Sequence, residues 1–385
     1  MAAEDSILPR IDVSRIVDKD LIHVTKTFLP PKDEYLALLD KVWDSHILTN
    51  NGPLHRELEQ KLTERFEVPY LRLIANGTLA IQLAIRALGV KGKVITTPYS
   101  YVATTSAILW EGCEPVYVDV RPDTLCIDPE LIEAAITPDT TAILATHVYG
   151  IPCDVVSIEA IAKKHGLKVI YDAAHAFDVK YKGRSILEWG DASTLSFHAT
   201  KLFHTVEGGA VVLHDAERDK QLRLLRSFGH DNDDHFRLGI NAKMSEMHAA
   251  MGLAILPHME SVISSRRSVV ERYMKAFSGN GWSFPALPKN VQPNHGYFPV
   301  LLADNPGREL LLKGLGELGV HCRRYFHPSL DLLPYVNSEN CPVSRSAASR
   351  ALCFPLHSFM TERTVMRVIS AVNTVIQWLS VRQDA

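Results

Sequence analysis

Between about Leu71 and Leu213 short apolar runs alternate with helical patterns, and this rhythm restricts the fold more than any other feature of the chain. Strands are predicted at Lys93–Thr97, Pro115–Asp119, Thr141–His147, Lys168–Asp172, Ser193–His198 and Gly208–Leu213. Helices are predicted at Tyr101–Trp110, Pro129–Ile136 and Val155–His165. Such a β-α-β succession implies an α/β fold with a mostly parallel, buried sheet covered by helices. A long helical region from Ser245 to Phe277, interrupted at Pro257, leads to a smaller α/β part. There Tyr297–Ala303 reads as a strand, Gly307–Leu318 as a helix and Thr361–Val381 as the closing helix. The expected division is an N-terminal arm and helix over 1–50, a large domain over 51–258 and a small C-terminal domain over 259–385.

Lys201 sits in the run Ser-Phe-His-Ala-Thr-Lys-Leu-Phe-His, on the connection between two predicted strands. A lone lysine there is ordinarily a solvated surface charge. Its company gives it another reading. The predicted strand Lys168–Asp172 ends in a carboxylate, and ligands of open α/β sheets bind beyond the carboxyl ends of strands. An aspartate there also suits a helix cap. The turn Asn76-Gly77-Thr78 opens an apolar-rich helix, whose free N–H groups suit a phosphate as well as an ordinary cap. An amine, a carboxylate for a ring nitrogen and a phosphate cradle are together what pyridoxal 5'-phosphate requires.

Five ordered motifs carry a resemblance: Asn-Gly-Thr-Leu-Ala at 76–80, Val-Ile-Thr-Thr-Pro-Tyr-Ser-Tyr-Val-Ala-Thr at 94–104, Tyr-Asp-Ala-Ala-His-Ala at 171–176, Ser-Phe-His-Ala-Thr-Lys at 196–201 and Glu-Gly-Gly-Ala at 207–210. With them the chain resembles, from about Phe28 to its last helix, the DegT-like sugar aminotransferases. These act on nucleotide-linked keto sugars and share the aspartate aminotransferase-like fold (PLP fold type I). The resemblance implies that Lys201 is the catalytic Schiff-base lysine and Asp172 the partner of the pyridine nitrogen. It places His175 beside the phenolic oxygen, Gly77, Thr78 and Ser196 at the phosphate, and Tyr101 stacked on the ring, where an isolated tyrosine would otherwise read as core. Asn241 matches an asparagine that reaches the phosphate of the neighbouring subunit, which implies a homodimer with shared active sites.

A subgroup of that family replaces the lysine by histidine and removes a hydroxyl group. Lys201 therefore favours transamination, with L-glutamate as the implied donor. The His-Ala-Thr-Lys and Glu-Gly-Gly patterns, with Val24–Pro31 and Leu48–Pro53, resemble enzymes that aminate C4 and make 4-amino-4,6-dideoxy sugars such as viosamine. The implied substrate is a nucleotide-linked 4-keto-6-deoxy sugar, for example dTDP-4-keto-6-deoxy-D-glucose. Amination at C3, a sugar dehydratase, and a non-catalytic cofactor-binding sensor are the alternatives. A sensor should carry a DNA-binding segment, and none precedes Phe28.

Two departures from the family pattern stand out. Asp178 occupies a place where relatives usually have glycine, and the segment 228–239 is acidic, histidine-bearing and short. Its spacing fits no metal-ligand pattern and reads as a solvated loop, close enough to Asn241 to line the sugar-nucleotide pocket. Tyr325 and His327, in the run 323–328, are candidates for sugar contacts but read first as packing, and His198 and His204 as supporting residues. A net charge of −3 with basic residues spread along the chain argues against nucleic acid as a partner. Six scattered cysteines read as reduced thiols of a cytoplasmic protein, with neither a signal peptide nor a membrane span expected.

Overall fold

A computed structural model describes residues 21–383. Its central sheet comprises β1 (Tyr70–Ile74), β2 (Lys93–Thr96), β3 (Glu114–Tyr117), β4 (Thr140–Thr146), β5 (Lys168–Asp172), β6 (Ala192–Ser196) and β7 (Gly209–Leu213). The strand order is β1-β7-β6-β5-β4-β2-β3. Strands β2 to β6 pair in parallel, whereas β7 runs antiparallel to both β1 and β6. The six predicted strands are all present, ending up to two residues early where the chain turns towards the site. Strand β1 was not among them. Its central Arg72 breaks the apolar run, and the sheet tolerates it because Glu59 and Asp219 receive the guanidinium at 2.6 and 2.5 Å.

The helices are α1 (Lys32–Ser45), α2 (Pro53–Phe66), α3 (Gly77–Leu88), α4 (Val102–Trp110), α5 (Pro129–Ala135), α6 (Val155–His165), α7 (Ala216–Leu225), α8 (Glu246–Ile255), α9 (Met259–Phe277), α10 (Asn305–Glu317), α11 (Pro342–Arg350) and α12 (Glu362–Gln383). A tight turn over Leu256–His258 separates α8 from α9, where Pro257 withholds the N–H a continuous helix needs.

Strand parity decides which side chains meet. Leu144, Ile170, Ala192 and Val211 pack against α3, α4 and α7, while Ile143, Val169, Leu195 and Val212 share the opposite core with α2, α6 and α8. Successive residues of a strand face opposite sides, so Thr146, Asp172, Thr194 and Ser196 emerge on the α3–α4 side at the carboxyl ends of their strands.

A third apolar core gathers Tyr273, Phe277, Phe298, Leu315, Phe354 and Val372 around α9, α10 and α12, with the antiparallel pair β8 (Pro299–Leu301) and β9 (Ala351–Cys353). Ile22–His23 adds to Val320–His321 as a parallel pair, tying the start of the described chain to this part. The Leu48–Pro53 motif is a sharp entry into α2. Asn50 and Asn51 take left-handed conformations with φ of 60° and 58°, and Pro53 begins the helix. The buried Glu246 carboxylate then accepts the Leu54 and His55 N–H groups, both at 2.8 Å.

Candidate active site

Asp172 ends β5 and is buried, yet it keeps strong hydrogen-bond donors. The Thr104 hydroxyl of α4 donates to Oδ2 at 2.7 Å, and the Ala174 N–H to Oδ1 at 3.1 Å. Behind Thr104, Ser100 Oγ lies 2.8 Å from the Thr104 hydroxyl oxygen and 2.9 Å from that of Thr146. Both carboxylate oxygens thus accept a hydrogen bond from the protein.

Lys201 lies in the connection from β6 to β7. Buried Phe197 and Phe203 pin this segment, with ring centroids 5.0 Å apart, and Phe203 stacks on Phe177 at 4.7 Å. The segment closes on itself through Phe197 N–H to Gly208 O at 2.8 Å and Lys201 N–H to His198 O at 2.8 Å. The N-terminal arm clasps it: Thr27 donates to Ala199 O at 2.8 Å, and His204 Nε2 meets Phe28 O at 2.7 Å. Burial lowers the Lys201 ammonium from 10.5 to about 8, against an opposing pull from the Asp172 charge. Among the described residues no hydrogen bond or ion pair engages its amine.

The turn that opens α3 lies beside both features. Asn76 caps the helix, its Oδ1 accepting the Leu79 N–H at 2.9 Å. A Cβ on Gly77 would stand 2.8 Å from Ser196 Cβ, so only glycine lets the turn close on the end of β6. Strand β7 crosses behind it. Gly209 pairs with Ser196 on one side and Ile74 on the other, and a Cβ there would lie 2.7 Å from both the Asn76 carbonyl carbon and Leu195 O. Thr78 is exposed at the helix start. The first N–H groups of a helix are free of intrahelical bonds and point at an anion placed there.

His175 is buried against an aromatic wall, stacked on Phe326 at 5.5 Å and 9°, with Tyr297 4.3 Å away. Burial, assisted by the Lys201 charge, pushes its pKa well below the ordinary histidine value. The Tyr149 N–H donates to Nδ1 at 3.1 Å, so the neutral ring carries its proton on Nε2. Tyr149 in turn is anchored by Tyr99 at 2.7 Å between hydroxyls and by the Tyr325 carbonyl.

Tyr101 is not a core residue: its side chain is 57% exposed at the start of α4. Asn241 is exposed on the segment that follows the 228–239 loop, whose next residue, Ala242, accepts the Ala75 N–H at 2.8 Å. Lys201, Asp172 and His175 thus converge in one electrostatic environment with the Gly77–Ser196 turn beside them, while Asn241 faces outward. The loop folds into a short hairpin, His230–Asp231 against Asp234–His235. It lines a cleft of about 960 Å³ with Asn50, Asn51, Arg226 and Lys243, and Lys201 is not in that wall. Asp178 has φ 59°, a left-handed conformation that favours glycine, and the Arg65 guanidinium holds its carboxylate at 2.9 Å. His327 Nδ1 lies 3.2 Å from Ala348 O, a packing contact. The residues sequence reasoning missed are Thr104, Ser100 and Tyr149. The first two stand inside the 94–104 motif at the i, i+4 spacing of a helical turn.

The donor set fits pyridoxal 5'-phosphate: a lowered amine, an ionisable carboxylate with a free edge, a neutral imidazole and a glycine-tight helix start. The arrangement is that of a PLP fold type I enzyme, large α/β sheet and smaller α/β part included. A profile of the DegT/DnrJ/EryC1/StrS aminotransferase family matches residues 31–373. The chain is 43% identical over 364 residues to a dTDP-4-amino-4,6-dideoxy-D-glucose transaminase of Shigella dysenteriae, covering 92% of this chain and 99% of that one. It is 40% identical to a transaminase of the same name from Escherichia coli, covering 90% and 96%. The crystal structure of DesI in the presence of its TDP-sugar product superimposes with a TM-score of 0.89 at 33% identity, over 96% of each chain. The protein belongs to the DegT/DnrJ/EryC1/StrS aminotransferase family.

Proposed function

We propose that this chain transfers an amino group from L-glutamate to C4 of a dTDP-linked 4-keto-6-deoxy-D-glucose, giving dTDP-4-amino-4,6-dideoxy-D-glucose, with pyridoxal 5'-phosphate as cofactor. The observation that carries the reading is the Lys201 amine, lowered to about 8 beside the Asp172 carboxylate. The names of relatives 43% and 40% identical support the sugar and the carbon.

When bound, the cofactor supplies an electron sink for the pair left on carbon when a C–H bond breaks. The chain's own residues do the rest. Lys201 Nζ, near half-neutral at pH 8, takes the proton from the α-carbon of the donor amino acid and delivers one at the sugar carbon in the second half-reaction. Asp172 holds the proton of the ring nitrogen, and an ionised carboxylate is the form that can do so. His175, with Nδ1 occupied by the Tyr149 N–H, offers Nε2–H to the phenolic oxygen without competing for its charge. The N–H groups opening α3, Thr78 and Ser196 bind the phosphate, and Tyr101 covers the ring face. Asn241 completes the phosphate site of a second copy, which makes the working unit a homodimer. All six cysteines are free thiols, in keeping with the cytoplasm. No described helix is long and apolar enough to cross a membrane.

The test is spectroscopic. Glutamate should bleach the visible absorbance of the loaded enzyme, and the 4-keto sugar nucleotide should restore it while the 4-amino sugar appears by NMR. Restoration by a 3-keto sugar nucleotide, and not by the 4-keto compound, would move the reaction to C3. Absence of any response to glutamate would refute the transaminase reading for this chain.

A further inference from the structure

We infer that Thr104 is a positioning residue for the ring-nitrogen carboxylate, and that Ser100 and Thr146 form with it a one-way chain of hydroxyl donors ending on Asp172. The inference deepens the proposed function and rests on it. Its basis is the direction of the hydrogen bonds. An ionised carboxylate only accepts, so the 2.7 Å contact at Asp172 Oδ2 consumes the Thr104 proton. The Thr104 oxygen, 2.8 Å from Ser100, is then the acceptor for Ser100, and Ser100, 2.9 Å from Thr146, accepts in its turn. Each hydroxyl has a single proton, so the order Thr146 to Ser100 to Thr104 to Asp172 follows from the carboxylate end. All three hydroxyl residues are buried, at 4%, 1% and 0% exposure, so water does not substitute for a missing member.

This chain answers a specific electrostatic problem. A ring N–H needs an ionised partner, and Asp172, 4% exposed, must take its hydrogen-bond donors from the protein. A neutral acid cannot keep a pyridine nitrogen protonated. Thr104 at Oδ2 and the Ala174 N–H at Oδ1 stabilise the anion and fix the carboxyl plane. They use two of about four lone-pair sites and leave an edge for one ring N–H. The local fold brings this about economically. Tyr101, at the start of α4, accepts the Thr104 N–H at 3.1 Å, so a single turn presents an aromatic ring outward and the hydroxyl inward to Asp172. Thr146 stands opposite Asp172 in the β4–β5 register, and the two strands hold the ends of the chain at a constant separation.

The experiment loads wild type, Thr104→Val and Thr104→Ser with pyridoxal phosphate carrying nitrogen-15 in the ring, and reads the ring nitrogen by solid-state NMR. Wild type and Thr104→Ser should show a protonated nitrogen, whereas Thr104→Val should move towards the unprotonated position. Its kcat should fall about tenfold to a hundredfold, the usual weight of a hydrogen bond to a charged group, with KM for the sugar nucleotide within about twofold. A purely structural residue would lower stability without moving the nitrogen resonance. If Thr104→Val does not fold, Ser100→Ala reads the same chain one link back and should give a smaller shift in the same direction. A wild-type resonance in the valine variant, or in Ser100→Ala where that is the variant read, overturns the positioning role alone. Failure of wild type to take up the cofactor overturns the proposed function with it.

Discussion

Replacing Lys201 by methionine is expected to make the cofactor-free protein more stable at pH 7, and to lose that advantage in alkali. Methionine keeps the length and flexibility of the side chain and removes only the charge. In the folded protein burial lowers the lysine from 10.5 to about 8. Below pH 8 the amine is charged in both the folded and unfolded states, and folding carries a constant cost for burying it. Between about 8 and 10.5 the unfolded chain binds the extra proton, so stability rises with pH. Above 10.5 both states are neutral and the cost is gone. At about 1.4 kcal/mol per unit of pKa, the ceiling is about 3.5 kcal/mol. Water reaching the half-buried amine reduces the expectation to about 1–2 kcal/mol. That corresponds to a rise in Tm of roughly 1–3 °C for a chain of this size. Thermal melts of both apo-proteins at pH 7, 8, 9 and 10 measure it. An equal or lower Tm for Lys201→Met at pH 7, or a gap that does not narrow by pH 10, would refute the reasoning that the site holds its amine at an electrostatic cost.

Three further outcomes are expected. Gly209→Ala forces a Cβ to 2.7 Å from two backbone atoms that cannot yield, so urea unfolding should show a loss of about 1–3 kcal/mol together with weaker cofactor retention. His175→Gln keeps a neutral donor and should hold the cofactor, with a pH–rate profile of wild-type shape between pH 5.5 and 7.5, because burial keeps the native imidazole uncharged there. His175→Ala should lose about tenfold or more in kcat; a break near pH 6.5 that vanishes in the glutamine variant would contradict the neutral assignment. Lys201→Ala and Asn241→Ala should each fold and lose turnover, yet their mixture after subunit exchange should recover about a quarter of wild-type rate, since half the dimers then hold one intact site. No recovery would mean that Asn241 serves its own subunit.

Much of the architecture is legible in the chain. The β-α alternation names six strands of the sheet, and Pro257 marks the break between α8 and α9 because a missing N–H acts wherever it falls. The glycines of Asn-Gly-Thr and Glu-Gly-Gly are visible as motifs, but the close crossing they permit emerges only when Gly209 is seen against Asn76 and Leu195. Strand β1 was not predicted because Arg72 spoils the apolar pattern, and its partners Glu59 and Asp219 lie 13 and 147 positions along the chain. Asp178 reads as an anomaly until Arg65 is found beside it, 113 positions away.

The division follows from the range of the forces. Propensity and turn chemistry act over a few residues, so the sequence by itself determined the alternating elements and the presence of an amine, a carboxylate and a phosphate-binding turn. Burial and hydrogen bonding join residues distant in the chain. Only the tertiary structure therefore decided that Lys201 titrates near 8, that Tyr149 sets the tautomer of His175, and that three hydroxyls from α4, its entry turn and β4 converge on Asp172.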